Sequence, residues 1–167
     1  IRGKNSSTHA FSVTINKFED SIYIVSFADI SETMLENMLL EEKTLRDKLT
    51  NAYNREFFEN NYQKLIETFK SEDMYFGLAM IDIDNFKNIN DSYGHNIGDE
   101  ILINLVSIIN KFSRNDDILI RWGGEEFIII LKVSSENILN IILENIRKTI
   151  EKSKIDKLPT ITCSFGG

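Results

Sequence analysis

Four acidic side chains occupy positions from which they could do chemistry. Glu125 and Glu126 follow a glycine pair inside ILIRWGGEEFIIIL (Ile118–Leu131), and Asp82 and Asp84 lie at the end of the apolar run that begins YFGLAMIDI (Tyr75–Ile83). A Gly-Gly pair between β-branched runs predicts a hairpin turn, because glycine tolerates the positive φ such turns need. Adjacent glutamates at the tip repel, and folding alone gives them no work. If the strand ending at Ile83 is central and the hairpin lies beside it, Asp82 faces Glu125 and Glu126 across the sheet. Carboxylates held that close cannot all stay ionised unless a cation sits among them. Oxygen ligands select a hard ion such as Mg²⁺, which completes its shell with water and substrate phosphates. Two such ions would polarise a phosphoryl oxygen, lower the pKa of an attacking hydroxyl and stabilise a leaving pyrophosphate. Spacing alone leaves a plainer alternative open, in which Asp82 caps a loop and the glutamates are solvated turn residues.

More polar groups follow in MIDIDNFKNINDSYGHNIGDE (Met80–Glu100). Asn90, Asp91, His95 and Asp99 are expected in a loop punctuated by Gly94 and Gly98, after a strand C-terminus of the kind that favours ligand sites.

The rest of the chain must position these groups. Its 167 residues are 42% hydrophobic, enough for one or two globular domains with a real core. No apolar run approaches the ~20 residues of a membrane span, and residues 1–10 do not read as a signal peptide. A single cysteine, Cys163, allows no internal disulfide and fits a reducing cytoplasm, though a parent protein could carry a membrane anchor upstream. A net charge of −7 argues against duplex nucleic acid or an anionic membrane as partner. An anionic small ligand stays compatible if a metal ion neutralises it.

Residues 11–28 alternate apolar and polar around a break at Asn16–Asp20, which predicts a β-hairpin. Asp29 and Glu32 are spaced like a capping box. The helix expected over Ser31–Lys48 carries Leu35, Met38, Leu45 and Leu49 at heptad positions, with Glu42 interrupting. Either it packs on its own domain or it pairs two chains as a short parallel coiled coil. From Asp47 onward the pattern is mixed α and β. Phe58, Tyr62, Leu65, Ile66 and Phe69 mark one helix face. Asp99 is expected to open a helix with Ile101, Leu102, Leu105, Ile108, Ile109 and Phe112 inside. A later helix carries Ile138, Ile141, Ile142, Ile146 and Ile150, and TITCSF (Thr160–Phe165) reads as a last strand.

Three stretches together resemble one family. RWGGEEF (Arg121–Phe127), DIDNFKNINDSYGHNIGDE (Asp82–Glu100) and DKLTNAYNR (Asp47–Arg55) resemble the signatures of GGDEF-domain diguanylate cyclases, which condense two GTP into cyclic di-GMP and two pyrophosphates. The resemblance covers residues 47–167. It implies an α+β fold with a mostly antiparallel central sheet, like that of nucleotide cyclases and polymerase palms, flanked by helices and preceded by a β-hairpin and a long helix. It implies two Mg²⁺ or Mn²⁺ ions per active site, held by Asp82, the Ile83 carbonyl and Glu125. Glu126 would bind metal or activate the 3′-hydroxyl, a choice the resemblance leaves open. Asn90 and Asp99 would bond the guanine edge, where an acceptor meets the N1 and N2 donors that adenine lacks. His95 would contact the nucleotide, and Lys87 would stabilise charge developing at the phosphates. Phe86 is expected in the core.

Arg114 and Asp117, in RNDD, match the R-x-x-D spacing of the family's product-inhibition site, where cyclic di-GMP would bind. Catalysis would need a homodimer, since one domain holds one GTP. The alternative is a catalytically silent cyclic di-GMP receptor and dimerisation module. Residues 1–30 resemble the last strands of a PAS sensor domain, with ADISE as its joint to a signalling helix. The family departs at LTNAYNR, where LTGLxNR is usual. It also extends past the SFGG-like strand into a helix and strand whose basic residues grip the triphosphate. The sequence given stops before them, so weak nucleotide binding or slow turnover is expected of it.

Overall fold

The computed structural model describes residues 9–19, 22–71, 74–114, 116–153 and 158–166. The chain divides into two compact units, Ile1–Thr44 and Leu45–Gly167.

In the first unit, β1 (Phe11–Glu19) and β2 (Ile22–Asp29) pair antiparallel. The register places Val13 opposite Phe27 and Ile15 opposite Val25, so one face of the hairpin is apolar and the other carries Ser12, Thr14 and Ser26. The expected polar break is shorter than its composition suggests, because Asn16 and Lys17 stay in the ladder opposite Ile24 and Tyr23; the tip at residues 20–21 lies outside the described residues. Helix α1 (Ser31–Thr44) begins where the Asp29 carboxylate accepts from the Ser31 amide at 2.9 Å and its hydroxyl at 2.6 Å. None of its residues is buried, and Met34, Leu35, Met38, Leu39 and Leu40 are all exposed.

The helix is shorter than the expected Ser31–Lys48. Leu45 and Leu49 lie beyond it, because the Leu45 carbonyl accepts from the Asn54 amide and Arg46 bridges Tyr53. These long-range bonds replace the i→i−4 bonds that would continue the helix.

The second unit is a five-stranded sheet with the order β3-β5-β6-β4-β7. Its strands are β3 (Tyr53–Asn54), β4 (Tyr75–Ile83), β5 (Ile118–Gly123), β6 (Glu126–Val133) and β7 (Cys163–Gly166). All pairs are antiparallel except β3 with β5. The helices are α2 (Arg55–Ser71), α3 (Phe86–Tyr93), α4 (His95–Asn110) and α5 (Glu136–Lys152). Side chains alternate faces along β4. Ala79, Ile81 and Ile83 enter the main core with Leu105, Ile109, Ile146 and Ile150 of α4 and α5. On the other face, Phe76 and Leu78 pack with Phe57, Phe58 and Leu65 of α2. That cover stops short, leaving Met80 38% exposed and Asp82 half-buried beyond it.

Some expected core positions lie elsewhere. Phe112 follows the end of α4 and is exposed, as are Tyr62, Ile138 and Ile141. Phe86 is buried. The Phe69 side chain lies outside the described residues, and the last strand is Cys163–Gly166, within and just past the expected TITCSF.

Candidate active site

The sheet brings the acidic residues of two distant segments to one place. Strand β4 is interior, with β6 on one side and β7 on the other. Register sets Asp82 opposite Glu126 on β6 and opposite Ser164 on β7. Gly124 and Glu125 form the turn between β5 and β6, and Gly124 has a φ of 47°, a backbone that side chains resist. Glu125 is half-buried there.

The proton affinity of Asp82 is raised, first by partial burial, then by the negative charges of Glu125 and Asp84. A cation would relieve that crowding. Among the described residues, no three His, Cys, Asp or Glu side chains come together as a cage able to hold a metal alone. The donors at hand are carboxylates and a strand-end carbonyl, so they suit a hard, partly hydrated ion that draws further oxygens from a phosphate-bearing ligand.

The turn is held from outside by Arg121. Its Nε and Nη2 both donate to the Gly124 carbonyl, at 3.0 and 2.8 Å, while Nη1 donates to Asp47 Oδ1 at 3.0 Å. Asp47 Oδ1 also accepts from the Thr50 amide and hydroxyl. Burial alone would push the Asp47 carboxyl up, but the Thr50 and Arg121 donors together outweigh it and hold it below its ordinary value.

Asn90, Asp91, His95 and Asp99 are not in a loop. Lys87, Asn90 and Asp91 stand on α3, while His95 opens α4 and Asp99 lies within it. The break between the helices is one residue, Gly94, at φ 87°. Gly98 stays helical and lets α3 approach: a Cβ there would fall 2.0 Å from Asn90 Oδ1. Asp99 adjoins Gly98, so this approach brings Asn90 and Asp99 to one locality. Asn90 Oδ1 is buried without a hydrogen-bond partner. Lys87, His95 and Asp99 are exposed.

At the far end of α4, Asp117 Oδ2 accepts from the Arg114 amide at 2.7 Å and Oδ1 from the Lys132 amide at 3.2 Å. It ties the turn before β5 to β6, a structural task that the R-x-x-D spacing did not disclose. The Arg114 side chain is exposed.

Three residues that bond to the acidic segments or their turn carry no signal of it in the sequence. Arg121 is one, and its contact with Asp47 spans 74 positions. The others are Thr162 and Ser164, whose hydroxyls donate to Asp84 Oδ2 and Oδ1, both at 2.6 Å. A cavity of about 570 Å³ lies on the opposite sheet face, between α5 and β7, lined by Leu139, Leu143, Arg147 and Phe165. None of the acidic cluster lines it. Among the described residues, no helix is long and apolar enough to cross a membrane.

The family profile described as "Diguanylate cyclase, GGDEF domain" matches residues 44–167. Diguanylate cyclase A of Treponema denticola is 34% identical over 169 residues, covering 98% of this chain and 44% of the relative. Diguanylate cyclase DgcM of Escherichia coli K12 is 30% identical over 164 residues, covering 98% of this chain and 40% of the relative. The chain therefore spans less than half the length of these relatives. Among solved structures, the coiled coil and GGDEF domain of Caulobacter crescentus DgcB, in complex with c-di-GMP, aligns with a TM-score of 0.73 and 27% identity. That alignment covers 81% of this chain and 74% of the other.

Proposed function

Because this chain belongs to the GGDEF-domain family of diguanylate cyclases, we propose that it condenses two GTP into cyclic di-GMP, releasing two pyrophosphates. The observation that carries this reading is the register of Asp82 against Glu126, with Glu125 close enough to raise the proton affinity of Asp82. Asp82, Glu125 and the Ile83 carbonyl would hold divalent cations, with Glu126 as a further ligand or as the base at the 3′-hydroxyl. The bound ions supply charge neutralisation at the α-phosphate and at the leaving pyrophosphate.

The chain's own residues do the rest. Asn90 and Asp99 orient the guanine. Its N1 and N2 donors face an acceptor at Asp99, and adenine presents no such pair. His95 contacts the nucleotide, and Lys87 offsets negative charge that grows in the transition state. Each 3′-oxygen then forms a bond to the α-phosphorus of the opposing nucleotide. The bond to pyrophosphate breaks, and the hydroxyl proton passes to the base. Two domains must face each other for both bonds to form. The exposed apolar side chains of α1 suit pairing of two copies, which would raise the effective concentration of the half-sites. Arg114 would bind the product as a feedback inhibitor, with Asp117 shaping that turn.

The test is incubation of the purified chain with GTP and Mg²⁺, followed by chromatography for cyclic di-GMP and pyrophosphate. Product from the wild type and none from Glu126→Gln supports the enzyme. No product from either, with tight binding of cyclic di-GMP, would replace this reading by the silent receptor.

A further inference from the structure

Asp82 and Asp84 are two positions apart, yet their surroundings differ. Both carboxylate oxygens of Asp84 are engaged. Its Oδ2 accepts from the Thr162 hydroxyl and its Oδ1 from the Ser164 hydroxyl, each at 2.6 Å. Ser164 is also the cross-strand neighbour of Asp82, but its hydroxyl proton goes to Asp84. The backbone adds a third tie, with the Asp84 amide donating to the Thr162 carbonyl at 3.0 Å. This bond extends the β4–β7 ladder one step beyond the last pair, Ile83 with Cys163.

The consequence follows from peptide planarity. The Ile83 carbonyl and the Asp84 amide belong to one trans unit, so they point in opposite directions. With the amide aimed at β7, the carbonyl is turned toward the β6 side. Pairing with β6 ends at Asp82 and Glu126, and the Gly124–Glu125 turn begins there. The carbonyl therefore faces the turn at the point where the ladder has run out.

We propose that Asp84 is a positioning residue. By clasping Thr162 and Ser164 it fixes the direction of the Ile83 carbonyl and draws the Ser164 proton away from Asp82. Asp82 and the carbonyl are thereby left as preset oxygens for a divalent cation. The proposal rests on the metal-assisted reading above. It differs from a role for Asp84 as a ligand, and the two make opposite predictions. Removing the hydroxyls frees the Asp84 carboxylate. A ligand would then bind metal as well or better, whereas a positioning residue would release its hold and weaken binding.

The experiment measures Mn²⁺ affinity, by the electron paramagnetic resonance signal of free Mn²⁺, in the presence of a non-reacting GTP analogue. The proteins are the wild type, Thr162→Val/Ser164→Ala and the hydroxyl-retaining Thr162→Ser/Ser164→Thr. Partners that orient metal ligands typically matter by about 10- to 100-fold in affinity. We expect the hydroxyl-free variant to bind Mn²⁺ about tenfold more weakly, and the hydroxyl-retaining variant to match the wild type within about threefold. Turnover of GTP should show a raised half-saturating metal concentration and a kcat largely restored at saturation. Affinity for the analogue in EDTA should be unchanged, because Asn90 and Asp99 lie on other elements. Unchanged or tighter Mn²⁺ binding in the hydroxyl-free variant would overturn the clasp while leaving the proposed reaction intact. A wild type that binds no Mn²⁺ with the analogue would remove the metal-assisted reading, and this proposal with it.

Discussion

Arg121 offers the most direct way to ask whether the glutamate turn depends on its anchor. Its guanidinium makes two bonds to the Gly124 carbonyl and one to Asp47. The Arg121 and Asp47 side chains are only 17% and 23% exposed, so water replaces the bond between them poorly, while the two bonds to Gly124 lie nearer the surface. Breaking a fully buried pair costs about 3–5 kcal/mol, and a hydrogen bond to a charged group contributes about 1.5–3 kcal/mol. Asp47 keeps its two Thr50 donors, so Arg121→Ala should sit at the low end, near 2–3 kcal/mol. At about 4 °C per kcal/mol for a domain of this size, the thermal midpoint should fall by roughly 10 °C. Arg121→Lys should recover only part, because an ammonium cannot span the Gly124 carbonyl and Asp47 as the fork does. A turn displaced by about 1 Å should also slow turnover by around 100-fold. Urea denaturation of Arg121→Ala, Asp47→Asn and the double variant measures the coupling. A coupling energy below about 0.5 kcal/mol, the ordinary error of additivity, would refute the Arg121–Asp47 link, and an unchanged urea midpoint in Arg121→Ala would refute the anchor as a whole.

Acid should unfold the same anchor. Asp47 has its folded pKa below the ordinary value, so its contribution is complete above the unfolded pKa of about 3.9 and is lost as pH falls through the folded one. The urea midpoint should therefore decline below about pH 4, and less steeply in Asp47→Asn. Gly98→Ala places a Cβ 2.0 Å from Asn90 Oδ1; the amide must swing away, at about 1–3 kcal/mol. Calorimetry should then show weakened GTP binding and a smaller preference over ATP. Leu35→Lys with Met38→Lys puts charge on the exposed apolar stripe of α1. Sedimentation should show loss of dimer and turnover should cease, while each monomer still binds GTP.

What the sequence disclosed follows the range of the interactions. The hairpin from Ile118 to Leu131 was legible because its strands alternate locally and its turn needs glycine. Asp82 was legible as the polar end of an apolar strand. The Asn90–Asp99 segment misled because two glycines and many Asn and Asp residues suggest a loop. In fact only Gly94 breaks the chain, and Gly98 remains helical because α3 packs its Asn90 against it. Helix α1 ends at Thr44 because partners at Tyr53 and Asn54 capture the next residues. No local propensity encodes that stop.

The same distinction separates the aspartates. Asp29 is taken by Ser31, Asp47 by Thr50 and Arg121, Asp84 by Thr162 and Ser164, and Asp117 by two backbone amides. Each has donors that a fold needs satisfied. Asp82 goes the other way. Asp29, Asp47, Asp84 and Glu144 have lowered proton affinity, and Asp82 has it raised, by burial and neighbouring negative charge. Folding alone gives no reason to place a carboxylate there with Glu125 beside it and with the hydroxyl of its cross-strand neighbour Ser164 bonded to Asp84. Such a group fits the proposed cation site, because a divalent ion would relieve that crowding. Within the second unit, the tethered Asp47, Asp84 and Asp117 fasten turns and strand ends of the sheet that carries Asp82. Residue type could not separate them from Asp82, because the difference lies in the donors, the burial and the neighbouring charges that the fold brings to each.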